Sequence, residues 1–546
     1  MSLLPSVIGP VPEETARIAR AAFPKGNLYL KLRDELGTLF EDRDFASLFA
    51  RRGHPSYTPW RLALITVLQF LENLSDRQAS EAVRSRIDWK YLLGLELSDS
   101  GFDYSVLSGF RDRLVSNRQQ ELLLDRVLEL LREKKLLKER TRQRTDSTHV
   151  LAAIRVMNRL ELVMETLRAA LNDLSEASPI WLSGIVPSEW FVRYAVRIED
   201  TRLPRSEKAR VELAEAVGAD GFYLLARIRD EQPDLLKRES VEILERVWQR
   251  HYARDEKGDV HWRANSQLGR AAEAIESPYD PEARYSRKRE LVWTGYKVHL
   301  TETCDDESPR LVTNVQTVPA TEQDVSATEA IHRSLRKKQL LPARHLVDAG
   351  YVDAALLVES EKGYQVELFG PARLNPSWQT REGGYAADQF AIDWDHRSAK
   401  CPEGRSSRYW HAYESKAAGR AVVKIRFGAH DCGACPSREK CVRAAGAGRS
   451  LQVPSRQLYE ALETTRRKLG SEAGRKEYGN RAGIEGTISQ ATRRGAARRS
   501  RYRGLEKTHL QEIAAATGIN LLRTINFLSG QVIAKTRVSR FKRLAN

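Results

Sequence analysis

Long hydrophobic runs are absent from this sequence. The most apolar segment near the N-terminus, residues 62–70 (LALITVLQF), is followed by Glu72 and Asp76. It is much shorter than the roughly 18–20 apolar residues that span a membrane. The opening residues MSLLPSVIGPVPEE also lack the basic region and the long apolar region of a secretory signal. These absences argue against a membrane-spanning helix and favour a cytoplasmic protein.

Cysteine is scarce, with 5 residues among 546, which is too few for the disulfide framework of a secreted protein. Four cysteines nevertheless cluster, as Cys401, Cys432, Cys435 and Cys441, whereas Cys304 lies apart in a predicted loop. A Cys-x2-Cys pair with two further cysteines can supply four thiolates to a tetrahedral Zn²⁺ ion, and the alternative is a set of free buried thiols. Because all four coordination positions would be filled, we assign this zinc to folding rather than to catalysis.

Acidic residues are outnumbered, with 73 Asp and Glu against 89 Lys and Arg, which gives a net charge of +16. The excess is concentrated after Ser471, where sixteen basic side chains face five acidic ones. Such an excess suggests a polyanionic partner, either nucleic acid or an anionic membrane face, and the alternative is a solvated basic tail. Hydrophobic residues at 41% and charged residues at 30% indicate a folded chain of several domains.

The first part of the chain has the apolar spacing of helices. Apolar positions recur every three or four residues over residues 28–137, with a loop predicted at 98–103 (SDSGFD). Thr58-Pro59 suits a helix start, and Ser75 with Gln78 has the pattern of a capping box. The helix-turn-helix spacing fits a helix that enters a DNA groove, and it also fits an ordinary packed helical domain.

The central part of the chain changes period. Helices are predicted over residues 154–174 and 206–252, the latter with a break at Gly218–Gly221. After residue 290 the pattern predicts, in order, a strand over 291–300, a strand over 310–317, a helix over 321–337, a strand over 344–350, a helix over 354–362 and a strand over 364–369. With a first strand around Asp146 and a last helix near Glu485, this order is that of a ribonuclease H-like α/β core.

The fold class predicted is therefore α/β, a ribonuclease H-like catalytic core with a helical N-terminal domain and two inserts. The predicted parts are a helical domain for DNA-end binding and assembly (1–139), a catalytic core (140–150, 288–370 and 470–530), a helical insert (151–287), a Cys-rich zinc-binding insert (371–469) and a basic C-terminal tail (531–546).

Three acidic residues could serve phosphodiester cleavage, which two divalent metal ions about 4 Å apart can promote through converging carboxylates. Asp146 lies within the predicted first strand, and Asp348 ends a later strand. Tyr478, Arg481 and Glu485 stand at i, i+3 and i+7, which share one face of a helix. The alternatives are surface or capping aspartates and an ordinary ion-paired helix face.

Taken together, these motifs resemble those of DDE insertion-sequence transposases. They are the Asp-Ser-Thr at Asp146, the Val-Asp-Ala-Gly-Tyr around Asp348 and the Tyr-x2-Arg-x3-Glu ending at Glu485. The similarity is to the bacterial branch with a Tyr–Arg–Glu–Lys signature, a helical N-terminal domain and a Cys-containing insert, and it covers residues 28–528. The resemblance implies that Asp146, Asp348 and Glu485 bind two Mg²⁺ or Mn²⁺ ions. It also implies that Tyr478 and Arg481 contact DNA near the cleaved end.

One position departs from the family's pattern. The signature lysine is expected seven residues after the glutamate, where this chain has Thr492. Arginines follow it and predict a DNA-binding track whose phosphate contacts supply affinity without sequence specificity, namely Arg493, Arg494, Arg498, Arg499, Arg501 and Arg503. His149 and His345 lie three residues from Asp146 and Asp348, and we interpret both as structural.

The function predicted is that of a bacterial insertion-sequence transposase in the nucleoid. It would cleave element ends and join the freed 3′-hydroxyls to target DNA. Its partners would be double-stranded DNA, as terminal inverted repeats and target, and further copies of itself in a homodimer or higher assembly. The alternatives are a ribonuclease H-like nuclease without strand transfer and a non-catalytic DNA-binding regulator.

Overall fold

The computed structural model describes residues 2–3, 5, 8–201, 203–372, 377–416, 419–495, 497–531, 541 and 544. No helix in these ranges combines the length and the apolar character needed to cross a membrane. The predicted basic tail, residues 531–546, lies almost entirely outside the described residues.

The N-terminal region is helical, as its apolar spacing predicts. Its helices are α1 (Glu13–Ala22), α2 (Leu28–Lys31), α3 (Pro59–Leu71), α4 (Asp76–Ser85), α5 (Ile87–Leu93), α6 (Ser105–Ser116) and α7 (Leu122–Glu133). Both predicted helix starts are confirmed. Helix α3 begins at Pro59, and Ser75 caps α4 by accepting the Gln78 N–H at 3.3 Å while the Gln78 side chain accepts the Ser75 N–H at 2.9 Å.

A helical insert follows the first strand. Its elements come after β1 (Arg142–Leu151) and are α8 (Arg159–Ala177), α9 (Pro179–Ile185), α10 (Ser188–Tyr194), α11 (Glu207–Glu231), α12 (Glu239–His251) and the hairpin β2 (Tyr252–Arg254) with β3 (Val260–Trp262). They share a hydrophobic core of their own, with Leu167, Leu224 and Trp248 at its centre.

The predicted break at Gly218–Gly221 is wrong, because α11 runs through it without interruption. Both glycines face aromatic rings of the insert. A Cβ on Gly218 would overlap the Tyr252 ring, and one on Gly221 would overlap the indole of Trp248. The glycines thus allow close packing on a helix, which outweighs their low helix propensity.

The main sheet combines antiparallel and parallel pairing. Its remaining strands are β4 (Arg284–Lys288), β5 (Leu291–Thr303), β6 (Val312–Pro319), β7 (Arg344–Leu346) and β8 (Glu367–Phe369), with α13 (Asp324–Lys337) and α14 (Ala354–Tyr364) between them. Strand β5 is antiparallel to β1, β4 and β6, whereas β7 and β8 continue parallel to β1. The order from one edge is therefore β6, β5, β1, β7, β8, and β4 pairs with the first five residues of β5.

Beyond β8, a smaller β-region precedes the last helices. It consists of α15 (Trp378–Arg381), β9 (Ala391–Asp393), β10 (Ser398–Lys400), β11 (Tyr409–Ser415), β12 (Arg420–Arg426), α16 (Ala429–Gly433) and β13 (Ser450–Pro454). Strands β11, β12 and β13 form an antiparallel sheet around a compact core that includes Phe390, Ile425 and Leu451.

The chain ends in helices that join the sheet to the N-terminal region. They are α17 (Arg456–Gly470), α18 (Glu472–Gly479), α19 (Ile484–Gly495) and α20 (Leu505–Leu528). Helix α20 is buried along its middle, residues 510–521, and packs against β6, α3 and α7. Its Asn520 amide pairs with both backbone groups of Val312, at 2.7 and 2.8 Å. One continuous core therefore includes both the N-terminal helices and the sheet.

Candidate active site

Two aspartates meet where β1 and β7 lie side by side. Asp146 stands in the middle of β1, opposite Leu300 of β5, and its side chain is 16% exposed. Strand β7 is shorter than predicted, because the Asp348 carboxylate accepts the Gly350 N–H at 2.8 Å and caps the short 3-10 turn Ala349–Tyr351. Asp348 therefore lies just after the C-terminal end of β7.

One guanidinium joins the two carboxylates. Arg481 Nη2 lies 2.7 Å from Asp146 Oδ2 and 3.8 Å from Asp348 Oδ2. Burial raises the pKa of Asp146, the Arg481 charge opposes that rise, and the nearby Asp348 adds to it. The Arg481 charge offsets the repulsion between the two carboxylates.

The signature segment is not the single helix that its spacing predicts. Tyr478 lies in α18, Arg481 in the 3-10 turn Asn480–Gly483, and Glu485 near the start of α19. Tyr478 contacts the Phe369 ring edge-on at 6.5 Å between centroids, and burial raises the pKa of its hydroxyl. Glu485 is exposed, and within the described residues it does not form a metal-binding group of three with the two aspartates. The structure thus brings Asp146, Asp348, Arg481 and Tyr478 together and leaves Glu485 outside the group.

A buried arginine packs against the turn between α18 and α19. Arg144, two residues before Asp146, donates from Nε to Glu302 at 2.7 Å and also to the Asn480 carbonyl. A Cβ on Gly483 would overlap that guanidinium, so only glycine permits the approach. Glu302 is fully buried and also accepts from Thr487 of α19 and, at 2.7 Å, from Arg523 of α20. Sequence reasoning missed Glu302, because nothing in a strand pattern marks a buried acidic residue.

A second missed group lies on the other side of Asp348. Asp324, the first residue of α13, accepts from Lys297 at 2.9 Å and from the Ser147 hydroxyl at 3.3 Å. The side chains of Asp324 and Asp348 both border Gly350, where an ideal Cβ would lie 3.1 Å from the former and 2.9 Å from the latter. Burial would raise the pKa of Asp324, but the Lys297 ion pair holds it below its ordinary value.

The predicted DNA-binding arginines differ in their surroundings. Those exposed to solvent are Arg493, Arg494, Arg498, Arg499 and Arg503. The Arg501 guanidinium instead donates to the Leu74 carbonyl and the Asn73 side chain, and it lies over the Phe70 ring at 5.1 Å. The Thr492 hydroxyl donates to the Ile488 carbonyl within its own helix, at 2.8 Å.

The two histidines near the aspartates belong to the packing. His345 is fully buried, hydrogen-bonded to Thr145 at 2.6 Å and to His332 at 2.9 Å, and burial holds its pKa well below its usual range. His149 packs against the Trp293 ring at 5.8 Å between centroids, and burial lowers its pKa.

Comparison with known families gives two matches. Residues 17–113 match the family described as Transposase domain (DUF772), and residues 400–525 match the family described as Transposase DDE domain. Two segments of the chain are therefore similar to transposase domains, and the second of them is similar to a DDE domain. No curated protein and no solved structure gives a significant match.

The two matched regions cover only part of the candidate site. The transposase DDE match contains Tyr478, Arg481 and Glu485, whereas Asp146 and Asp348 lie outside both regions. The convergence of the two aspartates on Arg481 is therefore an observation independent of the family matches.

The four clustered cysteines also lie inside the transposase DDE match. Cys401, Cys432, Cys435 and Cys441 line one small cavity of about 30 Å³. Backbone N–H groups point at two of the sulfurs, from Arg405 to Cys401 at 3.3 Å and from Arg449 to Cys432 at 3.4 Å. Burial raises the pKa of the Cys441 thiol to about 11.

Metal-binding geometry is not complete at either place. Across the part of the chain that the structure describes, no group of three or more His, Cys, Asp or Glu side chains is arranged to hold a metal ion. At the carboxylate site, the oxygens of Asp146 and Asp348 converge on the Arg481 guanidinium, whereas Glu485 is exposed to solvent. The fit of this site to a divalent ion is therefore partial. At the cysteine site, four thiols line one cavity, and their chemistry suits zinc. The four thiols are not arranged as a set of metal ligands.

Proposed function

We propose that this chain is the transposase of an insertion sequence, which cleaves the ends of its element and joins the freed 3′-hydroxyls to target DNA. The two transposase domain matches support the coarse assignment. The observation that carries the catalytic part is the convergence of Asp146 and Asp348 on a single nitrogen of Arg481. The Arg481 guanidinium offsets the negative charge of both carboxylates. A divalent ion bound in its place would do the same.

In this proposal Asp146, Asp348 and Glu485 are the metal ligands. Two Mg²⁺ or Mn²⁺ ions bound there would activate the attacking water or hydroxyl and neutralise the leaving oxygen. Arg481, once released from the aspartates, would hold a DNA phosphate through its guanidinium, which suits phosphate oxygens. Tyr478 would offer an aromatic face for stacking with a base beside the cleaved end.

The sheet order supports a ribonuclease H-like core. Strands β6, β5 and β1 are antiparallel neighbours, and β7 and β8 continue parallel to β1. We propose the same domain limits as the sequence indicates, with the exposed arginines after Glu485 as the DNA track. Arg501, which is engaged within the fold, would tie that track to the N-terminal helices. Acting on paired ends implies a homodimer or a higher assembly on DNA.

The cysteine cluster is proposed to bind one structural zinc ion through Cys401, Cys432, Cys435 and Cys441. Purified protein should then contain about one zinc per chain by elemental analysis. Cys435→Ser should lower the zinc content by at least half, whereas Cys304→Ser, at a buried cysteine outside the cluster, should leave it unchanged. Wild-type protein without zinc would refute this proposal and would leave free thiols as the explanation.

The central experiment is end cleavage and joining in purified form. A plasmid that carries the coding segment with its natural flanking DNA is incubated with protein and Mg²⁺ or Mn²⁺. Asp348→Asn should reduce cleavage by about 1,000-fold or more and leave the DNA mobility shift in place. Asp234→Asn, at an exposed aspartate 92% accessible to solvent, is the matched control and should cleave as the wild type does.

Other outcomes separate the alternatives. Metal-dependent cleavage without joined products would indicate a nuclease that lacks strand transfer. A shift without cleavage in the wild type would indicate a DNA-binding regulator. Equal activity in Asp348→Asn and wild type would refute the assignment of the carboxylates.

A further inference from the structure

The hairpin of β4 and β5 extends past the end of the strand that carries Asp146. Strand β1 pairs with β5 only as far as the Leu151–Gly295 pair. Residues 291–294 of β5 are therefore paired only with β4. The hairpin closes in a two-residue turn, Arg289-Glu290, in which Arg289 adopts the left-handed conformation at φ 57°.

The tip of this hairpin is basic and partly apolar. Arg287, Lys288 and Arg289 are exposed, and none of them forms an ion pair with any residue that the structure describes. Large apolar side chains stand exposed between and beside them, namely Tyr285, Leu291 and Val292. Unpaired cations with apolar neighbours suit a nucleic acid, because cations contact phosphates while apolar groups contact sugars and bases.

A groove of about 450 Å³ lies under the hairpin. The hairpin contributes Ser286, Arg287, Lys288 and Trp293 to its lining, and the opposite side consists of Lys297 and residues 320–324. Gly350 also lines the groove, and its N–H is the group that Asp348 accepts. The groove therefore borders the loop that holds one of the two converging aspartates.

The charge in the groove comes from the hairpin. Asp324 and Lys297 neutralise each other at 2.9 Å, so the charges of Arg287 and Lys288 face the single carboxylate of Glu322 and leave the groove net positive.

We propose that this groove holds the phosphate backbone of the DNA strand that passes Asp146 and Asp348, with Arg287 and Lys288 as its phosphate contacts. The inference rests on the proposed function and adds the path of the DNA on one side of the site.

The test measures DNA binding without requiring cleavage. A fluorescein-labelled 30-bp duplex of mixed sequence is titrated with Arg287→Gln/Lys288→Gln protein at several salt concentrations, without Mg²⁺ or Mn²⁺. Each lost phosphate contact reduces the slope of log K against log salt by about 0.9, so the double variant should lose about 2. The matched control is Arg205→Gln/Lys257→Gln, which removes two exposed cations that line no part of the groove. It should keep the wild-type slope.

A second measurement uses the wild-type protein and is independent of any variant's folding. Acetic anhydride should modify Lys288 at least fivefold more slowly when the duplex is bound, while Lys257 reacts at the same rate, as read by mass spectrometry. An unchanged slope, an equal loss in the control variant, or an unprotected Lys288 would each overturn the proposal.

These results are separable from a failure of the proposed function. Wild-type protein that cleaves its end DNA, with an unchanged slope in the hairpin variant, would refute the groove alone. Wild-type protein that cleaves nothing would refute the transposase activity, while the salt slope would still decide whether the hairpin contacts DNA.

Discussion

Neutralising Glu302 should both destabilise the fold and slow cleavage. Glu302 is fully buried and accepts from two guanidinium groups, those of Arg144 and Arg523, at 2.7 Å each. Glu302→Gln keeps the size of the side chain and removes its charge. Two largely buried cations then lose the carboxylate that they share. Arg144 keeps the Asn480 carbonyl as an acceptor, and Arg523 keeps the Arg310 carbonyl and the side chains of Gln490 and Thr487.

The magnitude follows from what the two arginines retain. Removing one partner of a buried ion pair costs about 3–5 kcal/mol. The retained carbonyl contacts, and the 17% exposure of the Arg523 side chain, place the expected loss near the lower end, at about 3 kcal/mol. The apparent thermal midpoint of Glu302→Gln should therefore fall by several degrees. At a temperature where the variant is still folded, end cleavage should fall at least about tenfold, because the same network holds the segment between Arg481 and Glu485.

The control is an ion pair of the same kind at the surface. Glu329 of α13 pairs with Arg333 one turn later, and both side chains are more than 40% exposed. Such surface pairs contribute about 0–1 kcal/mol, so Glu329→Gln should change the midpoint little and cleavage not at all. Equal midpoints for the two variants would refute the claim that Glu302 organises this part of the fold.

Further predictions concern close packing and pH. Gly483→Ala should lower stability by about 1–3 kcal/mol and slow cleavage, because its methyl group would displace Arg144. Gly486→Ala, with open space at its Cβ, should leave the thermal midpoint unchanged or slightly raised. Gly221→Ala should destabilise the helical insert, as shown by faster limited proteolysis. Burial lowers the pKa of His332 from 6.5 to about 4. Stability should therefore fall by about 2 kcal/mol from pH 6.5 to 5, as the unfolded chain takes up a proton that the folded chain does not. His332→Gln should reduce that loss in thermal midpoints measured across the range.

Much of the local structure could be predicted from the sequence. The sequence identified the helices between residues 28 and 137, five of the six strands of the main sheet and the helices between them, because each element repeats its apolar residues at its own period, but it did not predict β4. Capping chemistry fixed two helix starts, at Pro59 and Asp76, to the residue. The glycines of α11 misled the same reasoning, since their role depends on Trp248 and Tyr252, which lie further along the chain.

The candidate site was predictable only in part. Asp146, Asp348 and Arg481 stand in the motifs that resemble those of DDE transposases, and the structure brings these three together. Asp324 and Glu302 have no local signature, because their importance comes from partners more than 20 residues away. The depth at which a charge is buried is a property of the folded chain, and strand periodicity reports only which face a residue occupies.

The break between α18 and α19 separates two residues that a continuous helix would keep on one face. Arg481, in the turn, contacts the aspartates, whereas Glu485 begins a new helix and faces solvent. In the turn, Arg144 occupies the space beside Gly483 and donates to the Asn480 carbonyl, and α19 is held two residues beyond Glu485 by the bond from Thr487 to Glu302. The orientation of Glu485 therefore depends on a buried ion pair that never touches it. If Glu485 is a metal ligand, a defect at Glu302 should weaken catalysis through Glu485, and a Glu302→Gln/Glu485→Gln double variant should cleave no more slowly than Glu485→Gln alone.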